Sequence, residues 1–197
     1  MSCKRLSVCM HGNPVDVPLA MQTLRTAMDG CGQVRLSDGT NVLEHALWAA
    51  HQAVMASCDN TLIVAALFHD IGHYLCAGDP ELAEYYKDRE HAALGARWLS
   101  RWFGRAVCAP IELHIEAKRY LATIDTDYRR QLGAGSLQSL EHQGGLMSAE
   151  EVRAFRQVEH FESALLVRQF DDTPFKGETL PPYSWYERIV ASVMGSL

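Results

Sequence analysis

Six side chains in this sequence have the chemistry of metal ligands: His45, His69, Asp70, His91, His114 and Asp171. Four imidazoles and two carboxylates suit iron, manganese, cobalt or zinc, and the set lacks the thiolates that build structural zinc knots. Leu62, Ala65 and Ala66 lie on the helical face of His69, so its imidazole projects from an apolar stripe whose small residues leave room for an ion. His45 shares a face with Val42, Trp48 and Ala49, a stripe interrupted by Gln52 one turn on. A lone histidine on an apolar face is more often a core residue than a ligand; the weight of the pattern lies in six donors occurring together. Neighbouring side chains diverge by about 100° on a helix. A carboxylate has two oxygens, however, so Asp70 can bridge two ions while His69 holds one.

Two cations accompany these ligands. Lys118 follows His114 by four residues and Arg168 precedes Asp171 by three, so each shares a helical face with its ligand and is expected to point at the metals. An anionic ligand would need such partners, because arginine offers a fork of donors and lysine a point charge.

The elements that carry these residues read as helix after helix, with no strand-period alternation. Expected helices cover Val17 to Met28, Val42 to about Cys58 with Asn41 as N-cap, and a segment capped by Asp59 or Asn60 that ends near Gly72. Others cover roughly Glu81 to Trp102 and Arg105 to Leu121, with a short one around Asp125 to Leu132. Ser148 and Glu151 form a capping box for a helix extending to Phe170. A proline-rich loop from Asp172 to Ser184 leads to a closing helix. Helical bundles build dinuclear sites from side chains that converge from facing helices. The fold class expected is therefore all-α, a helical bundle with a dinuclear metal site in its core.

The composition agrees. At 197 residues with 48% apolar content the chain suits a single domain over 1–197 with its metal-binding core at about 41–172. A net charge of −6, with no basic cluster, argues against a nucleic-acid partner. The six cysteines are scattered and form no C-x-x-C pair, so they read as reduced thiols. The N-terminus has no apolar signal core and the longest strongly apolar run, Leu62 to Phe68, is too short to span a bilayer. A cytoplasmic protein without a membrane partner is expected; the oligomeric state is not legible.

The run from Val64 to His73, with Glu44-His45 before it, Glu90-His91 after it and a late Asp171, resembles the HD-domain superfamily. More narrowly, the stretch from His114 to Tyr120, then Leu140 to Gly145 and Arg168 to Asp171, resembles the HD-domain mixed-valent diiron oxygenases that cleave organophosphonates, over about Leu36 to Asp172. The resemblance implies two iron ions in a mixed-valent Fe(II)/Fe(III) pair. His45, His69 and Asp171 would hold one, His91 and His114 the other, and Asp70 would bridge. It also implies an organophosphonate and dioxygen as substrates, Ser136 as a hydroxyl donor to the phosphonate, and His73 as a catalytic group near the metals. Lys118 and Arg168 would bind the anion. Gln143-Gly144-Gly145 is either a loop brought to the substrate, with Gln143 in contact, or the turn before the next helix.

One stretch departs from the family. Arg35-Leu36-Ser37-Asp38 stands where the family resembles Tyr-x-x-Glu, whose glutamate meets the substrate amine. Arginine is no oxygen ligand, and Asp38 withdraws the carboxylate by about 1.5 Å, one C–C bond. A bulkier ammonium would fit, aided by an aromatic face such as Trp48, Tyr120, Tyr183 or Trp185. The expected reaction is oxidative C–P cleavage of (R)-1-hydroxy-2-(trimethylammonio)ethylphosphonate to glycine betaine and phosphate, with Asp38 in the substrate site. The plainer reading of Asp38 is a surface ion pair with Arg35. The alternative function is an HD-type phosphohydrolase of nucleotides or other phosphate esters, which would use the same ligands. A non-catalytic sensor has no need of all six ligands, and a polyol-cleaving relative has no need of Lys118 and Arg168.

Overall fold

A computed structural model describes residues 15–36, 39–77 and 91–195. Among these the chain is helical and no strand occurs; an isolated antiparallel bridge between Arg35 and Asn41 closes the turn before the second helix. Helix α1 (Val17–Cys31) is capped by Asp16, which accepts from Leu19 N, and carries a proline in its first turn, where the missing N–H is an orphan anyway. Helix α2 (Val42–Met55) has the full capping box: Asn41 accepts from Glu44 N, and the Glu44 carboxylate accepts from Asn41 N. Helix α3 (Asn60–Phe68), capped by Asp59, is buried at every position from Leu62 to Phe68, as expected of a helix apolar on all sides.

Helix α4 (Ile71–Ala77) follows at once, then α5 (His91–Leu99) and the long α6 (Arg105–Ile124). Asp125 ends α6 and caps α7 (Thr126–Gln131), accepting from Asp127 N and Tyr128 N. Four more helices follow among the described residues: α8 (Ala134–His142), α9 (Ala149–Phe155), α10 (Phe161–Asp171) and α11 (Tyr183–Val193). Helix α6 packs on α3, α5 and α10, while α2 covers α3 and α10, so the ligand-bearing helices surround one another. None of the described helices is long and apolar enough to cross a membrane.

The structure corrects three sequence expectations. The helix expected to reach Gly72 breaks at His69-Asp70, and a new one starts at Ile71. The helix expected from Ser148 to Phe170 is two: His160 adopts a left-handed conformation at φ 66°, and Phe155 and Phe161 fold back around Tyr120 with ring centroids 5.7 and 5.1 Å from it. Helix α8 was not expected, because Gly133-Ala134-Gly135 reads as loop. The helix expected from Glu81 lies outside the described residues up to position 90.

Gly72 sets the spacing between α4 and α5. A Cβ at this position would stand 2.0 Å from the carbonyl oxygen of His91, a backbone atom that cannot step aside. Gly72→Ala is therefore expected to push α5 away and displace the His91 imidazole, destabilising the fold by about 1–3 kcal/mol as overpacking does. Calorimetric unfolding together with metal content checks this; unchanged metal content would mean that α4 does not set the position of His91.

Candidate metal centre

Three of the six candidate ligand residues sit at helix ends. His69 is the C-cap of α3, Asp70 occupies the junction with α4 and Asp171 closes α10; His45 and His114 lie within α2 and α6, and His91 is the first described residue of α5. At a helix end the backbone turns away and a side chain can enter a core without displacing the next turn.

Two ring orientations are fixed by the backbone. His69 Nδ1–H donates to Ala66 O at 2.8 Å and His114 Nδ1–H to Ile111 O at 2.7 Å. Each bond uses the Nδ1 proton and leaves the Nε2 lone pair facing the centre, the arrangement a metal-binding imidazole needs. For His69 the acceptor is also one of the orphan carbonyls at the end of α3.

The donor atoms fall into two groups. In the first, His45 Nε2 lies 2.9 Å from Asp171 Oδ1, 3.2 Å from His69 Nε2 and 3.6 Å from Asp70 Oδ2. In the second, His91 Nε2 lies 3.3 Å from both His114 Nε2 and Asp70 Oδ1. Within each group the donors stand within 4.8 Å of one another. Bonds of about 2.1 Å at right angles would put neighbouring donors about 3 Å apart, so the spacings fit one ion in each group. Asp70 turns Oδ2 to the first group and Oδ1 to the second, which is the geometry of a bridge.

The electrostatics also call for cations. Burial alone would push the Asp70 and Asp171 carboxyls up, yet His69 and His73 beside Asp70, and Arg168 and His69 beside Asp171, hold both well below the usual range. Burial alone would strip a proton from His69, but Asp70 and Asp171 hold its imidazole up at about 9. The carboxylates thus favour positive charge between the rings, which a metal ion supplies as a proton does. Burial, with His91 and His69 alongside, pushes His114 well below its usual value and keeps it neutral, the state that binds metal.

A cavity of about 810 Å³ opens onto both groups. Lys118 and Arg168 line it as expected and are 3% and 4% exposed, so neither is a solvated surface cation. His73 is on its wall with Nε2 3.8 Å from Asp70 Oδ1 and its ring stacked on His91. Ser136 and Gln143 line it too, and Gln143 is buried. The next two residues, Gly144 and Gly145, take positive φ values that only glycine adopts freely, and Arg119 Nε–H donates to Gly145 O. The segment is therefore both the turn after α8 and a wall of the cavity.

Several features lay beyond the sequence reading. The hydroxyl paired with Lys118 belongs to Ser139, whose Oγ is 2.7 Å from Nζ; Ser136 supplies the carbonyl that accepts from Ser139. Knowing that α8 exists would have found Ser139, one turn beyond Ser136. None of Trp48, Tyr120, Tyr183 and Trp185 lines the cavity: Trp48 donates to Thr173 O and packs on Phe175, Tyr120 and Tyr183 are buried elsewhere, and Trp185 is exposed. Phe175 lines it instead. Arg35 also lines it, with Nη1 donating to Gly39 O, whereas Asp38 lies outside the described residues.

Residues 42–164 match the HD-domain family model. The chain belongs to the HD-domain family. This HD-domain protein is 39% identical to a hydroxymethylphosphonate dioxygenase of Gimesia maris, over 85% of the chain and 84% of that protein. It is 31% identical to a glycine-betaine-forming [1-hydroxy-2-(trimethylamino)ethyl]phosphonate dioxygenase of Leisingera caerulea, over 82% of the chain and 85% of that protein. An uncharacterized protein of Acanthamoeba polyphaga mimivirus is 28% identical over 81% and 74%. In the HD-domain protein Asp70 of the His69-Asp70 pair is the residue shared by the two donor groups.

Asp70→Asn keeps the shape of the bridge but removes its charge and one oxygen donor. Metal content, measured by elemental analysis of folded protein, is expected to fall from about two ions per chain to one or fewer; two ions retained would exclude Asp70 as the bridge.

Proposed function

We propose that the chain is a diiron oxygenase that cleaves the C–P bond of a 1-hydroxyalkylphosphonate, and that six residues hold the irons: His45, His69 and Asp171 one, His91 and His114 the other, with Asp70 between. The observation that carries this reading is the asymmetry of the centre. The first group offers four donor atoms and the second only three, and the cavity onto which the second opens is also lined by the buried Lys118. A substrate with adjacent hydroxyl and phosphonate oxygens can chelate a metal at that side while Lys118 meets its charge. The relatives named as phosphonate dioxygenases support the same chemistry.

The irons would supply the site where dioxygen is reduced. Two electrons come from the C1–H bond and two from the C–P bond, so no external reductant enters the balance: hydroxymethylphosphonate and dioxygen give formate and phosphate, atom for atom. The protein's part is orientation and charge. Lys118 neutralises the phosphonate, the hydroxyls of Ser139 and Ser136 fix it on the α8 side, and Gln143 closes the wall. His73, on the cavity wall with Nε2 3.8 Å from Asp70 Oδ1, would serve as proton donor to the phosphonate.

The substituent on C1 follows from the lining. A quaternary ammonium favours aromatic faces, and Phe175 is the one phenylalanine, tyrosine or tryptophan among the described lining residues. With the 39% identity to the hydroxymethylphosphonate enzyme, this favours hydroxymethylphosphonate as the first substrate to test and the trimethylammonio compound as the second. Oxygen uptake equal to phosphate release is the expected result. Phosphate release without oxygen uptake would replace the oxygenase reading with that of a phosphohydrolase.

The pH dependence should report Lys118. Burial, with Arg168 nearby, pulls its ammonium down to about 8 from an ordinary value of 10.5. Because the charged form binds the dianion, kcat/KM is expected to fall as pH rises through about 8, and to hold below it. Lys118→Arg, whose guanidinium stays charged, should move this alkaline limb upward. A limb unmoved in that variant would separate it from Lys118.

A further inference from the structure

Arg168 is the cation nearest the first donor group, and its guanidinium is already engaged. Nη1 lies 2.7 Å from Asp171 Oδ2; Nε lies 2.6 Å from Asp172 Oδ2, and Nη2 bonds Asp172 Oδ1, so the fork on Asp172 is bidentate. The Tyr128 hydroxyl, carried in from α7, donates to Asp172 Oδ2 and accepts from Arg168 Nε at 3.3 Å. Asp171 therefore divides its oxygens: Oδ1 faces His45 and the metal position, Oδ2 faces Arg168. Asp70, in the same centre, gives one oxygen to each donor group. What separates a one-oxygen ligand from a bridge here is the arginine on the second oxygen of Asp171.

We propose that Tyr128 and Asp172 are positioning residues for the metal ligand Asp171: together they lock Arg168, which holds Asp171 Oδ2 away from the metals and keeps Asp171 a one-oxygen ligand. All three nitrogens of the guanidinium answer to carboxylates, so most of its charge is spent within the centre and Lys118 carries the greater share of substrate charge. Without the lock, Arg168 swings, Asp171 rotates, and the metal of the first group loses a fixed donor. Burial and the charge of Asp172 push the Tyr128 phenol up, so its proton stays in place as the donor. The partners that orient metal ligands commonly change metal affinity by about 10- to 100-fold when removed.

This inference rests on the metal centre and not on the substrate. The test is anaerobic loading with Fe(II) alone, in the full chain and in Tyr128→Phe, Asp172→Asn and Arg168→Lys. Release to a chelator is followed in time, Mössbauer spectra are recorded for the loaded proteins, and unfolding temperatures are taken for the metal-free ones. In Tyr128→Phe and Asp172→Asn, one of two release phases should quicken about tenfold or more and one of two quadrupole doublets should change, with the metal-free unfolding temperature nearly kept. Arg168→Lys, which keeps charge but not the fork, should resemble Asp172→Asn. Unchanged release and spectra in both Tyr128→Phe and Asp172→Asn overturn the proposal, as does an equal change at both irons that follows a fall in unfolding temperature. Should no phosphonate be turned over while release splits in the stated way, the substrate reading fails and this one stands.

Discussion

The centre depends on one buried carboxylate turned two ways. Asp70 is 7% exposed and sits where α3 stops and α4 begins, and its two oxygens face two different sets of imidazoles. A carboxylate inside a continuous helix would follow the helical face and reach one set. The break at His69-Asp70 frees it, and the close approach of α4 to α5 at Gly72 brings His91 within 3.3 Å of it. The positions of α3, α4 and α5 are thus constrained by a single side chain, and the apolar run from Leu62 to Phe68 supplies the buried anchor from which that side chain extends.

Charge explains why such a centre stays folded around its donors. Two deprotonated carboxylates in a buried site are costly unless cations balance them. Arg168 meets Asp171 and Asp172 from one side, the imidazoles meet Asp70 from the other, and the donor spacing leaves places for metal ions between. Lys118 stands apart from this balance, on Ser139, with its charge directed into the cavity. On the proposed function, this divides the cation that holds ligands from the one that would meet substrate.

Much of this was legible in the sequence. The six candidate ligands that the structure brings together stood out by residue type together with the apolar face of α3, and the buried Lys118 by its spacing to His114, because helical periodicity is a local property. The caps Asn41, Asp59 and Ser148 were readable for the same reason. What escaped depended on distant partners. Helix α8 begins in a Gly-Ala-Gly run that reads as loop, and Ser139 escaped with it. The left-handed turn at His160 is held by rings from α6, α9 and α10, which no window of sequence contains. Tyr128 meets Asp172 across 44 positions, so its role belongs to the fold. None of the aromatic faces considered, Trp48, Tyr120, Tyr183 or Trp185, lines the cavity, because periodicity gives a residue a face but not the neighbour that face meets.

The most direct test of the central claim is a crystal structure of the anaerobically iron-loaded protein with an anomalous difference map at the iron edge. The account predicts two peaks per chain, one among His45, His69 and Asp171 and one beside His91 and His114, each bonded to a different oxygen of Asp70. A single peak, or two peaks sharing one Asp70 oxygen, would contradict it.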